Sequence, residues 1–124
     1  MAYMNDLLLD LALQYFEDNG SRLDICSAEP ATYAEATSTY TLGNKTGLTY
    51  TGPADRSPNG RKTTVDAIAG GSVTGTGTAS HWAISKTTAT TALLAAKSLA
   101  SSQAVTSGNT FSLDAMDIGM PDAA

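Results

Sequence analysis

His81, Cys26 and the three aspartates Asp114, Asp117 and Asp122 are the first side chains of this 124-residue sequence to consider for chemistry. His81 is the only histidine, which excludes metal sites built on several imidazoles. A Ser-His-Asp relay is compatible with the composition, but Gly70-Gly71-Ser72-Val73-Thr74 fails the G-x-S-x-G nucleophile pattern at its last position. His81 also adjoins Trp82 in a strand-like run, where alternation sends neighbours to opposite faces, so it reads as a surface or interface residue. Gly43-Asn44-Lys45-Thr46 lacks the spacing of a phosphate loop, and Gly75-Thr76-Gly77 lacks the third glycine and following helix of a dinucleotide fingerprint. No twelve-residue calcium loop frames the aspartates, which read as solvated loop carboxylates. Cys26 has no second cysteine to pair with and reads as a small packing residue. The expectation is a non-enzymatic chain with no cofactor, no metal and no small-molecule substrate.

The elements that would position these residues follow from composition and periodicity. Only 15% of the residues are charged, against roughly 25% in an ordinary soluble domain. Eighteen Thr and twelve Ser fill the gap, with their bias toward strands and turns. The net charge of −5 is a sum of −6 over residues 1–35, +4 over 36–97 and −3 over 98–124. Such segregation suits either pairing within the fold or contacts between copies. A pI near 4.5 speaks against nucleic acid as a partner. The near-apolar run Leu7–Phe16 is interrupted by Asp10 and Gln14 and is far shorter than a membrane span of about 20 residues. No basic n-region or cleavage pattern opens the sequence, so neither a membrane nor a secretory route is expected.

Residues 5–18 predict the one long helix, capped by Asn5 and stopped by Asn19-Gly20. Asp6, Asp10, Gln14, Glu17 and Asp18 form one polar stripe, and apolar residues fill the remaining arc of roughly 240°, where docking on one core needs little more than about 100°. Either loops of the same chain cover the surplus or it marks an interface, the favoured reading, with Tyr3, Met4, Leu7, Leu8, Leu11 and Tyr15 as its candidates. All five Tyr lie within the first 50 residues, which fits equally a contact surface on that half of the chain and the ordinary preference of Tyr for strands.

From Arg22 onward the period is two. A first strand ends near Ala28, ATYAEAT makes a helical turn, and the next strand starts near Ser38 with a turn at Gly43-Asn44. Residues 53–60 read as a loop and 61–69 as one strand, followed by a turn at Gly70-Gly71. SVTGTGTASHWAIS supplies one or two strands, ALLAAKSL another and Gln103–Thr106 a short one; Ser107-Gly108-Asn109 then turns into TFSLDAMDIGM. The spacing predicts a mainly β fold, an antiparallel sandwich or barrel-like domain of about seven or eight short strands with one amphipathic N-terminal helix. Residues 1–20 pack as a helix on a body of 21–124, forming one structural domain. Its candidate core is Phe16, Leu23, Ile25, Val65, Trp82, Ile84, Leu94, Phe111 and Leu113.

SHWAIS (80–85), LLAAKSLASSQAVTSGNTFSL (93–113) and DIGMP (117–121), with the helix-then-strand opening at 7–36, resemble the small virion proteins of tailed bacteriophages. The resemblance implies a structural role, first as a capsid cement or decoration protein that binds the major capsid protein and stabilises the head. A small tail, fibre or head–tail connector component is the alternative. It further implies contacts with other copies of the chain, and residence on the virion after synthesis in the bacterial cytoplasm.

Overall fold

Helix α1 spans Asp6–Asn19, and its two ends close as the sequence predicts: Asn5 accepts from the Leu7 N–H at 2.8 Å, and the Gly20 N–H returns to the Phe16 carbonyl at 2.7 Å. The structure, a computed structural model, describes residues 5–57, 60–87 and 90–120. Nine strands follow among them: β1 (Arg22–Cys26), β2 (Thr41–Thr46), β3 (Tyr50–Asp55), β4 (Arg61–Val65), β5 (Ile68–Val73), β6 (Gly77–Lys86), β7 (Ala92–Val105), β8 (Thr110–Leu113) and β9 (Met116–Met120). The fold is mainly β and wholly antiparallel. One six-stranded sheet, ordered β7-β6-β1-β2-β5-β8, curls into a half-barrel, and a three-stranded sheet is ordered β3-β4-β9. No described helix is long and apolar enough to cross a membrane.

The core lies between the two sheets and under α1. Phe16, Leu23, Ile25, Val65, Trp82, Ile84 and Phe111 are buried in one cluster with Ile68, Val73 and Ala79, while Leu94 and Leu113 pack against it half-buried. The outer face of the six-stranded sheet is covered too. A wide helical turn at Glu35–Thr39, closed by the Tyr40 N–H on the Glu35 carbonyl, lays Ala36 over Cys26 and Ala83. β1 is therefore buried on both faces, and its outward Asp24 has no exposure at all. That carboxylate accepts from Arg22 Nε at 2.8 Å, Arg22 Nη2 at 3.0 Å and the Thr41 hydroxyl at 2.7 Å. The arrangement holds the Arg22 guanidinium above its usual pKa.

Several expected boundaries move, each for a physical reason. The first strand ends at Cys26, where the chain leaves the sheet to make the covering turn. Gly43-Asn44 is no turn: both residues sit inside β2, paired with β1 and β5. Gly43 is there because its neighbours come close; a Cβ would lie 2.5 Å from the Ser72 carbonyl oxygen. Residues 53–55 belong to β3 rather than to a loop, since Pro53 is tolerated at a bulge on an edge strand. The single strand expected over 61–69 breaks at Asp66-Ala67 and passes between sheets, so Ile68 is buried and Ala67 and Ala69 are exposed, against the alternation. Gly70-Gly71 forms a bulge within β5, with Gly70 at φ +69 and Gly71 under the Phe111 ring. The two strands expected across 92–106 are one, β7, and 110–120 divides between the sheets.

Part of the charge segregation resolves within the fold. Asp10 of the acidic first segment pairs with Arg61 of the basic second, and Lys62 of the second pairs with Asp117 of the acidic third. Thr64 and Lys62 both hydrogen-bond Asp117 and lower its pKa. The pair lies on the solvent face, where such contacts contribute at most about 1 kcal/mol.

Tyr50 connects the sheet to the end of α1, its hydroxyl donating to the Gly20 carbonyl at 2.5 Å. Burial, with Glu17 nearby, pushes this phenol up to about 12. Its folded pKa lies above the unfolded value of about 10, so its contribution to stability is complete below that pH and is lost as pH rises from about 10 to 12. Cys26, also pushed up to about 12 by burial and then by Asp24, begins to lose its contribution earlier, near pH 8.5. Tyr50→Phe is expected to lower stability at pH 7 by about 1 kcal/mol and to flatten the decline above pH 10. Urea titrations from pH 7 to 11.5 check both; a variant with an unchanged alkaline slope would show that Tyr50 is not its source.

Candidate functional site

Two polar anchors fix how α1 is rotated on the body. Arg61 of β4 donates through Nε to Asp10 at 2.8 Å and through Nη1 to Asp55 at 2.6 Å, and the Thr63 hydroxyl donates to Glu17 at 2.6 Å. The guanidinium between two carboxylates is held well above its usual pKa. Asp10 and Glu17 thus join the docking contact, although the sequence places them on a solvated stripe. Beside them Leu9, Leu13 and Phe16, at i, i+4 and i+7, are buried, and Phe16 meets Tyr50 edge-on at 5.7 Å between ring centroids.

With that rotation set, a second apolar stripe faces outward. Leu7 is 65% exposed, Leu8 and Leu11 60% and Tyr15 53%, spread over an arc of about 100°. Together they offer on the order of 400 Å² of apolar surface, the size of the largest patch on an ordinary monomer, which is often functional. Lys86 borders the stripe, 3.2 Å from the Tyr15 hydroxyl and 5.5 Å from its ring centroid. Gln14 and Asp18 bond each other at 3.0 Å on the other margin. Four of the six interface candidates therefore share one exposed face; Tyr3 and Met4 lie outside the described residues.

His81 and Trp82 take opposite faces, Trp82 buried and His81 half-buried. The sequence gives no hint of the contacts His81 makes. Its Nδ1 is 2.8 Å from the Ser80 hydroxyl and its Nε2 is 3.7 Å from Glu29. The Ser80 hydroxyl also lies 3.1 Å from the Ser27 carbonyl, to which it can donate. The trio pins the 27–29 segment to β6. Among the described residues no three His, Cys, Asp or Glu side chains converge to hold a metal ion, and Asp122 lies outside them. No family, curated protein or solved structure matches this chain.

Proposed function

We propose that this protein is a non-enzymatic structural component of a tailed-bacteriophage virion, a capsid cement or decoration protein that docks on the major capsid lattice through α1. The observation that carries the reading is the outward stripe of Leu7, Leu8, Leu11 and Tyr15 on a helix already anchored by Arg61, Thr63 and Tyr50. A rigid apolar face lowers the ordering cost of association, because little conformational freedom remains to be lost. The sequence resemblance supplies the partner, and the stripe supplies the means of contact.

Leu8→Asp and Leu11→Asp test it. Both positions face solvent, so each variant is expected to keep the wild-type circular dichroism and melting temperature to within a few degrees. Each is also expected to lose incorporation into purified particles at least tenfold, because a buried unpaired carboxylate opposes the contact. Heads lacking the protein are expected to release DNA at lower temperature. Normal incorporation of both variants would sink the docking face. A low copy number confined to tails would replace the cement role with a tail or connector role.

A further inference from the structure

The six-stranded sheet does not close on itself. Its edge strands β7 and β8 border a groove of about 950 Å³, which runs on to the first residues of β9. The buried rings of Trp82 and Phe111 reach this groove, and Leu99, Val105, Leu113 and Met116 line it while packing half-buried against the core. The core thus continues to an open side of the molecule. Obligate interfaces have this character, that of a domain core cut in half.

We infer that a second copy of this chain occupies the groove about a two-fold axis, with Lys97 of each copy set against Asp114 of the other. Charge selects the occupant. Lys97 on β7 and Asp114 at the end of β8 are exposed, on the two banks of the groove, and neither has an ion-pair partner among the described residues. The third charge there, Asp117, is already held by Lys62 and Thr64. A two-fold axis running along the groove brings each bank of one copy to the opposite bank of the other, so one operation pairs both open charges twice. A partner surface of a single sign would be repelled by one bank.

β7 adds a reason for cover: it is a fourteen-residue edge strand with no proline and one charge, so it has little of the protection that free edges usually carry. The inference does not depend on the docking role of α1, which packs against β3 and β4 of the other sheet.

Sedimentation velocity of the full chain from 1 to 100 µM tests it. The expected species is a dimer. Lys97→Asp and Asp114→Lys, each at an exposed position, are expected to keep the wild-type circular dichroism and to raise the dissociation constant at least about tenfold. The double variant restores the pairing with its signs exchanged and is expected to return within about threefold of wild type. Leu11→Asp is expected to leave the dimer unchanged, which separates this contact from the α1 face. A monomer at 100 µM, a trimer, single variants that dimerise normally, or a double variant that fails to recover would each overturn the proposal.

Discussion

Replacing Arg22 with Ala is expected to destabilise the protein by roughly 3–5 kcal/mol, a large part of the 5–15 kcal/mol that holds a domain folded. The Asp24 side chain has no solvent exposure and lies on a strand flanked by β6 and β2, so it cannot turn toward water. Arg22 supplies two of its three hydrogen bonds, at 2.8 and 3.0 Å, and the Thr41 hydroxyl alone would remain. The cost is that of a buried carboxylate left without its counter-charge, not the worth of the pair. Arg22 itself is a quarter exposed, so Asp24→Asn leaves a cation that can still reach solvent and should cost less. The double change Arg22→Met with Asp24→Leu removes both charges and is expected to recover most of the loss. Urea unfolding of the three variants at pH 7 provides the comparison. A loss below 1 kcal/mol for Arg22→Ala would mean that the carboxylate finds water or another partner.

Trp82→Ala is expected to cost a comparable 3–5 kcal/mol, by a different route. The ring is 5% exposed, and β6 holds it between Ile25 on β1 and Lys97 on β7. Truncation removes the largest side chain of the core, and the surrounding strands can close only part of the space it leaves. Trp82→Phe keeps most of the apolar contact and should cost less than half as much. Thermal unfolding by circular dichroism resolves the difference, since each kcal/mol moves the midpoint of a domain this size by several degrees.

The sequence is most legible where a signal is local. Asn5 and Gly20 bound the helix because capping chemistry is contained within a few residues, and Trp82 reads as core because alternation with His81 survives in β6. It misleads where tertiary contact overrides local preference. Gly43 has the look of a turn residue, yet it serves close packing against Ser72, twenty-nine positions further on, which becomes its neighbour only because β5 returns beside β2. The run from Arg61 to Ala69 alternates as one strand, but its two halves enter different sheets and the inward set changes at Ile68. The helix face was half legible. An apolar arc wider than one core requires is visible in the spacing, but which part turns outward depends on Arg61 and Thr63, more than forty residues away.

The placement of β1 at the centre of the large sheet also sets the order in which the chain can form. Its neighbour β6 is bonded through Ile25 and Trp82, fifty-seven positions apart, so the central ladder must wait for a distant segment to arrive. Closing a loop of that length before any contact rewards it slows folding, and all-β topologies of this kind take milliseconds to seconds. During synthesis, at about 5–20 residues per second, β1 can therefore pair with β2 several seconds before β6 is made, and its other edge stays open over that interval. The open edge of β1 during that interval is a point of exposure to aggregation that follows from where β1 ends up in the sheet.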